Sequence, residues 1–426
     1  MNYLRLQSDL GSGWNIDDTA YLYSYSNNTL TADSAANPTA GLGSIKTASG
    51  ATVTNQMPGY TKLNEYSVFG NIFKATKETG SGLLRGGLWL EWADTQRASY
   101  DVNVLTMTGN YKESTAPKNV KYNQDSGWSQ YQPFVEFEWA VADGLTITPG
   151  LKYMHTTLSI NAQYNQTARI AQDISKDFSA TLPFLTANYK IDGSNSVYAQ
   201  YAQGMLVPDI SSYQSANANA SNIVPQTSTN YQIGTVHKSE HLTYDADLFY
   251  IDFSNKIAAV DPTASQIVYY NQGGVIYKGI ESQATYAFNN GISLYGNASF
   301  NSAKSTTSHL SIKNAPNMTA ALGLLYNAGG WSSALIYKRT GDQYVIDDAK
   351  YKMHGISTTD FSIGYTFLNP GLGAKSLKLN LSVYNLFDKQ DIMTVKAANS
   401  DGTTSASDTF LFQPERSFMA SLKAQF

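Results

Sequence analysis

The sequence predicts an all-β protein: an antiparallel β-barrel that spans a membrane with strands. Three observations lead to this fold class. Segments of alternating apolar and polar residues recur along the 426-residue chain, and strand side chains point to opposite faces with a period of two. Short glycine-rich turns alternate with long polar loops, an asymmetry typical of transmembrane barrels. The chain closes on a strand that ends at the aromatic Phe426.

The composition is that of a β-rich protein whose polarity is mostly uncharged. Charged residues make up 15% of the chain, below the roughly 25% of typical soluble domains, yet the mean hydropathy is only −0.30. No segment approaches the ~20 apolar residues of a membrane-spanning helix, so a membrane location requires a barrel that satisfies every backbone group. The net charge of −4, without a basic cluster, argues against nucleic-acid binding.

Alternation is clearest in six segments and in the closing strand. The six segments are 84–92, 135–139, 145–153, 292–301, 361–367 and 377–384. In the closing strand one face carries Phe418, Ala420, Leu422, Ala424 and Phe426, and the other carries Ser417, Ser421, Lys423 and Gln425, with Met419 as the exception. Each strand therefore has one apolar and one polar side, as a barrel wall between lipid and a polar lumen requires.

From these patterns we expect about 17 strands. They are 1–10, 14–25, 61–76, 83–100, 129–141, 145–159, 180–191, 196–205, 227–238, 242–260, 267–288, 292–303, 317–327, 331–345, 355–367, 376–387 and 410–426. The long polar loops are expected at 26–60, 101–128, 206–226 and 388–409. Aromatic residues near the short turns are typical of an interfacial girdle: Trp14, Trp139, Phe288, Trp331, Phe367 and Phe426.

Several motifs carry a family resemblance. Asn385-Leu386-Phe387-Asp388-Lys389, followed by a closing strand to Phe426, is its most specific part. Segments 227–235, 244–257 and 277–281 support it. The chain resembles the C-terminal part of the β-barrel of TonB-dependent outer-membrane receptors, of the siderophore-receptor type. The resemblance covers essentially the whole chain and is best from about residue 180 onward.

The resemblance implies a larger parent protein. Barrels of this family have about 22 strands around an N-terminal plug domain, which carries the box that binds TonB. Strand parity points the same way, because the first strand predicted here runs towards the periplasm although complete single-chain barrels start there. We therefore expect 1–426 to be an N-terminally truncated barrel domain, open or incomplete, with no signal peptide, plug or TonB box, and not competent alone for energised uptake.

By resemblance, the expected function is TonB-dependent uptake of a ferric siderophore or similar ligand across the outer membrane of a Gram-negative bacterium. The partners implied are outer-membrane lipid, the ligand, TonB through the missing N-terminal part, and the barrel assembly machinery through the C-terminal strand. A passive porin-like channel is the main alternative. A barrel lipase or protease and a soluble β-protein remain further alternatives, although the sequence suggests no Ser/His/acid set.

Candidate functional residues are few. Glu136/Glu138 and Asp245/Asp247 are spaced i,i+2 on strands, so both members of each pair face the lumen and are not expected to be catalytic. The five His residues lack zinc-ligand spacing, and no cofactor is expected. Ligand contacts are predicted from loop and upper-lumen aromatics in or near the long loops, since rings with polar tips suit planar chelates: Tyr100, Tyr111, Tyr122, Tyr213, Tyr269, Tyr270, Tyr344 and Tyr351. Among the motif residues Asn385, Leu386, Phe387, Asp388 and Phe426, the Asp388 position is interpreted as turn chemistry.

Overall fold

The computed structural model describes residues 2–32, 43–46, 52–56, 58–103, 120–166, 169–213, 223–259, 269–371, 373–399 and 401–426. Its main element is one sheet of 17 strands, in which every pairing is antiparallel. The all-β, antiparallel fold class and the predicted strand number are thereby confirmed. In the described part of the chain, no helix is long and apolar enough to cross a membrane.

The 17 strands follow one another along the chain as an up-and-down meander. They are β1 Asn2–Gly11, β2 Trp14–Ala32, β3 Pro58–Thr79, β4 Gly82–Asn103, β5 Val120–Ala142, β6 Leu145–Tyr164, β7 Gln172–Lys190, β8 Asn195–Leu206, β9 Gln226–Lys238, β10 Leu242–Ser254, β11 Val275–Ala287, β12 Ile292–Ser305, β13 Met318–Ala328, β14 Trp331–Thr340, β15 Ile356–Gly371, β16 Ala374–Tyr384 and β17 Ser417–Gln425. Each strand pairs with the next.

The two end strands leave the sheet open. Among the described residues, β1 pairs only with β2, and β17 pairs only with β16. Nearly every side chain of β1 and every side chain of β17 is exposed, whereas the strands between them alternate in exposure. The prediction of an open or incomplete barrel is confirmed for the described strands.

Short and long connections alternate as predicted. The turn between β1 and β2 is made by Ser12 and Gly13 at positive φ of 51° and 78°, and the Glu78 amide donates to the Gly13 carbonyl at 2.9 Å. Comparable short turns follow at 80–81, 143–144, 191–194, 239–241, 288–291 and 329–330. All long loops therefore emerge at the opposite end of the sheet.

The strand register sorts the side chains into two faces. On β4, Leu84 and Trp92 lie on the apolar outward face, in register with Phe137 and Ser129 of β5. Arg85 and Glu91 alternate with them on the inward face. Lumen-facing positions are polar and lipid-facing positions apolar in a membrane barrel, so the outward face fits lipid. Met419 pairs with Ser382 on the inward face, which accounts for the exception in the closing strand.

Four predicted strands were too long, because each joined a barrel strand to a strand of a separate loop hairpin. The predictions concerned are 242–260, 267–288, 331–345 and 410–426. Residues outside the strand conformation separate the two strands in these segments: Asn255 adopts a positive φ of 59° after β10, Gly341 follows β14, and Pro414 precedes β17. The hairpins are Ile257–Ala259 with Tyr269–Asn271, Gln343–Ile346 with Lys350–Met353, and Ile392–Lys396 with Thr409–Phe412.

Two predicted loops were too long, because strands extend into them. In the segment 26–60, β2 continues to Ala32 and β3 begins at Pro58, with a further hairpin of Gly43–Lys46 and Thr52–Gln56 between them. In 101–128, β5 begins at Val120. These strand ends extend beyond the apolar band and lack a regular alternation of apolar and polar residues, so the pattern did not mark them. A 3₁₀ helix, Ile210–Tyr213, lies within the predicted loop 206–226.

Buried apolar side chains are concentrated under the long loops. One cluster comprises Leu158, Ile160, Ala162, Tyr213 and Ile223. A second comprises Val275, Ala303 and Ile312. Both combine inward-facing strand residues with loop residues, so the long loops pack onto the loop end of the barrel wall.

Candidate functional site

A hydrogen-bonded network covers the inward face of β2 to β5. Tyr21 of β2 reaches across β3, and its hydroxyl donates to Glu91 Oε2 of β4 at 2.6 Å. It can do so because the intervening position is Gly70: a Cβ there would lie 2.1 Å from the Tyr21 ring. Trp89 Nε1 donates to the Tyr21 hydroxyl at 2.9 Å. Because Gly70 has no side chain, Tyr21 of β2 can hydrogen-bond directly to Glu91 of β4, although these two strands are not neighbours.

Glu91 is the centre of this network. Its Oε1 accepts hydrogen bonds from Trp128 Nε1 at 3.0 Å and from Gln130 Nε2 at 3.2 Å, both on β5. Gln132 Nε2 donates to Gln130 Oε1 at 3.0 Å. Bonds to a carboxylate are stronger than neutral ones, so Glu91 holds the indole and amide groups in fixed orientations on the lumen wall.

The same arrangement occurs a second time. Tyr198 of β8 lies across Gly234 of β9, where a Cβ would meet its ring at 2.6 Å, and its hydroxyl reaches Asp247 Oδ2 of β10 at 3.4 Å. Gln283 Nε2 donates to Asp245 at 2.6 Å. Both members of this acid pair face inward, as predicted from their spacing.

The other predicted acid pair also faces the lumen. Arg85 donates to Glu136 Oε1 at 2.8 Å and to Glu138 Oε2 at 2.5 Å. Arg85 thereby clamps two successive inward carboxylates of β5. This part of the lumen wall is therefore ion-paired.

Three long loops are joined by one carboxylate. Asp347, between β14 and β15, accepts a hydrogen bond from the Lys313 backbone amide at 3.0 Å and lies 3.2 Å from Lys256 Nζ. The side chains of Lys256 and Asp347 are each 18% exposed. Burial opposes the charge of Asp347, but the Lys313 amide and the Lys256 ammonium outweigh it and hold the pKa of the carboxyl below 3.8. The loops after β10, β12 and β14 therefore form one connected rim.

The predicted ligand-binding tyrosines are distributed over strand ends, hairpins and loops at the loop end of the sheet. Tyr100 and Tyr122 lie on β4 and β5 near their loop ends, with the Arg97 guanidinium 5.7 Å from the centre of the Tyr122 ring. Tyr344 and Tyr351 lie on the hairpin of Gln343–Ile346 with Lys350–Met353, between β14 and β15, where the Tyr351 hydroxyl donates to Asp408 at 3.2 Å. Tyr111 lies outside the described residues.

The remaining three candidates differ in accessibility. Tyr213 is only 1% exposed, and its hydroxyl donates to the Ile223 carbonyl at 3.0 Å. Burial raises the pKa of Tyr213 to about 12. Tyr269 packs against the same cluster, whereas its neighbour Tyr270 is 40% exposed. As placed, Tyr213 holds its loop, and Tyr270 presents a ring to solvent.

The Asn385 motif joins β16 to β17. Asn385 is 6% exposed, and its Nδ2 donates to the carbonyls of Lys389 and Pro414 at 2.7 and 2.9 Å. Asp388 Oδ1 accepts from the Arg416 amide at 2.8 Å. Leu386 donates its amide to the Thr359 carbonyl, while Phe387 and Phe426 are exposed. The Asn385 backbone amide donates to Asp360 Oδ1 of β15 at 3.0 Å. The side-chain contacts of Asn385 and Asp388 join the two ends of the long loop between β16 and β17.

Sequence reasoning missed the Tyr21–Glu91 network. The alternating pattern placed Trp89 and Glu91 on one face, but nothing in the sequence pairs Tyr21 with a residue 70 positions away. The only local signal is Gly70 within a strand, where a glycine can mark a close approach. Among the described residues, no group of three or more His, Asp or Glu is placed to hold a metal ion.

The fold and this site define a transmembrane barrel wall with a polar lumen and a rim of connected loops. Residues 1–386 match the family model for the TonB-dependent receptor-like β-barrel, and the chain belongs to this family. Members of this family are receptors and transporters of the Gram-negative outer membrane. The resemblance drawn from the sequence motifs is confirmed.

Individual relatives are distant. The pesticin receptor of Yersinia pestis is 23% identical over 310 residues, which are 66% of this chain and 44% of that protein. In the solved structure of the copper transporter OprC, the match covers 100% of this chain and 64% of the OprC chain, at 16% identity and a TM-score of 0.76. In the solved structure of the siderophore receptor PiuA from Acinetobacter baumannii, the match covers 99% of this chain and 63% of the PiuA chain, at 16% identity and a TM-score of 0.72. The chain thus spans 44–64% of the length of these relatives, and the structural likeness establishes the fold alone.

Proposed function

We propose that this chain forms the barrel wall and loops of an outer-membrane receptor for TonB-dependent uptake of a ferric siderophore or similar ligand. The observation that carries the proposal is the division of the molecule: an apolar outward face, an ordered polar lumen wall, and long loops joined at one end by Asp347. Family membership supports the receptor class. A solved relative named as a siderophore receptor supports the ligand class.

In this proposal the connected loops bind the ligand and the lumen wall holds the moving part of the transporter. TonB acts through an N-terminal plug, and the barrel assembly machinery inserts the chain through β17. That this chain alone does not support energised uptake stays a prediction. Restoration of TonB-dependent growth on a siderophore by this chain in a receptor-deficient strain would contradict it.

Ligand binding by the loops is tested most directly at Tyr270. With the chain reconstituted in detergent, quenching of tryptophan fluorescence by ferric hydroxamate and ferric catecholate siderophores measures the affinity. Tyr270→Ala is expected to weaken binding about tenfold, since stacked aromatic contacts contribute roughly 0.5–1.5 kcal/mol beyond buried area.

Tyr286 provides the matched control. It is 41% exposed, nearly the same as Tyr270, but lies on β11 next to a short turn, at the end opposite the loops. Tyr286→Ala is expected to bind the siderophore like the parent chain. Equal losses in both variants, or ion conductance in planar bilayers without any siderophore binding, would favour the passive channel instead.

A further inference from the structure

The outward face carries a polar groove directly above its apolar band. Two successive rows of outward side chains on β2 to β6 line it, together with Tyr25, Tyr66, Thr95 and Ser126 at the positions between the rows, and its volume is about 700 Å³. The lower row is Ser24, Ser67, Asp94 and Ser159, and the upper row is Ser26, Glu65, Gln96, Asp125 and Asn161. None of these nine residues is a cation.

The apolar row directly beneath the groove indicates its position along the membrane normal. Leu22, Phe69 and Trp92 are in register one position below the lower row, and all three are exposed outward. The Phe69 and Trp92 rings are stacked with centroids 5.9 Å apart. Exposed aromatic rings gather where the apolar band meets the head-group layer. The groove therefore opens at the height of the lipid head groups.

The shape of the groove depends on a missing side chain. Gly127 occupies the β5 position of the lower row, between Asp94 of β4 and Ser159 of β6. A Cβ at Gly127 would lie 2.2 Å from the Ala93 carbonyl oxygen, so the tight strand pairing excludes any larger residue. The lower row consequently has a gap in its middle, flanked by hydroxyl and carboxylate groups.

The chemistry of the lining selects a class of ligand. Three carboxylates, two amides and four hydroxyls provide many acceptors, and Ser26 Oγ donates to Glu65 Oε1 at 2.7 Å. Asp94, Gln96 and Asp125 are exposed. An acceptor-rich acidic surface repels phosphates but binds groups that donate several hydrogen bonds without negative charge. The adjacent hydroxyls of a neutral sugar ring have this character.

We propose that this groove binds the neutral sugar units of a membrane glycolipid, whose acyl chains lie against Leu22, Phe69 and Trp92. The site is separate from the loops and lumen. It rests on the proposed function only in requiring that the apolar outward face lie in a membrane. Asp94 and Asp125 accept hydrogen bonds from the sugar, and the lipid anchor keeps it at the groove.

The test uses the chain in nanodiscs of zwitterionic lipid doped with a dihexosyl diacylglycerol, with bound glycolipid counted by native mass spectrometry. Asp94→Ala/Asp125→Ala is expected to reduce retained glycolipid at least about tenfold, because two charge-assisted hydrogen bonds are removed. Asp173→Ala is the matched control: Asp173 pairs with Asn161 on the same outward face but lies outside the groove lining. It is expected to bind like the parent.

Other outcomes are informative. Equal retention by the double variant and the parent overturns the proposal, as does an equal loss in Asp173→Ala. Binding abolished by EDTA shows a bridging divalent cation and also overturns it. A soluble tetrasaccharide that binds as tightly as the glycolipid refutes the membrane source. Failure of the parent chain to enter nanodiscs overturns both this proposal and the proposed function, whereas retained siderophore binding with no glycolipid retention overturns this one alone.

Discussion

Gly70 is expected to control the lumen network, and Gly70→Ala tests this. The new Cβ would lie 2.1 Å from the Tyr21 ring, whereas ordinary contact begins near 3.4 Å. The ring must therefore move by roughly 1.3 Å. A hydrogen bond that starts at 2.6 Å to Glu91 does not survive that displacement, and the Trp89 bond at 2.9 Å is lost with it.

The magnitude follows from those two bonds. A hydrogen bond to a charged acceptor contributes about 1.5–3 kcal/mol, and a neutral one about 0.5–1.5 kcal/mol. Gly70→Ala is therefore expected to lower the free energy of unfolding by about 2–4 kcal/mol, less the roughly 0.5–1 kcal/mol gained because alanine loses less backbone entropy than glycine on folding. Urea or thermal unfolding in detergent micelles, followed by tryptophan fluorescence, measures the change.

Two controls isolate the cause. Gly86→Ala adds the same methyl group on the neighbouring strand, where the nearest atom is the Phe134 carbonyl oxygen at 3.5 Å, so little change is expected. In a Tyr21→Ala background the clash is absent, and Gly70→Ala should then cost under about 0.5 kcal/mol. An undiminished cost in that background would refute the reasoning, because it would place the strain in the backbone rather than in the Tyr21 contact.

Two further predictions concern the loops. Asp347→Asn is expected to loosen the rim and to raise cleavage of the loops after β10, β12 and β14 by a protease. Because the folded pKa of Asp347 is lowered, its contribution is present above the ordinary value of 3.8 and is lost as the pH falls below it. Cleavage of the unmodified chain should therefore rise more steeply in that window than cleavage of the variant, in which only other loop acids such as Asp342 still titrate. Asn385→Gly keeps the positive φ of 51° but loses the hydrogen bonds to the carbonyls of Lys389 and Pro414. It is expected to lower the free energy of unfolding, measured in urea, by about 1–3 kcal/mol. An unchanged unfolding midpoint would show that Asn385 is needed only for its backbone conformation.

Much of the fold could be predicted because alternation is a local signal. The faces of β4 follow from Leu84, Arg85 and their successors without knowledge of any neighbour, and the short turns are marked by Gly13 and similar residues. The signal failed where strands continue beyond the apolar band, as β2 does to Ala32, because neither face is then selected for burial in lipid. It also failed at Asn255, where one residue at positive φ divides two strands that read as one.

The candidate site was predicted less well. The tyrosines in or near the long loops were identified by type and position. The sequence could not separate the buried Tyr213 from the exposed Tyr270, because their burial depends on packing between loops. Asp347 looked like any loop acid until packing placed it beside Lys256 and the Lys313 amide. These distinctions depend on contacts between loops that are far apart in the sequence.

By itself the sequence determined the fold class, the two faces of each strand and the family, because strand alternation and turn residues act over a few positions. Only the tertiary structure decided which inward side chains meet. The register of β2, β3 and β4 brings Tyr21, Gly70 and Glu91 into one line, and a shift of one residue would turn each to the opposite face. The network on the lumen wall and the groove on the outward face are products of that register.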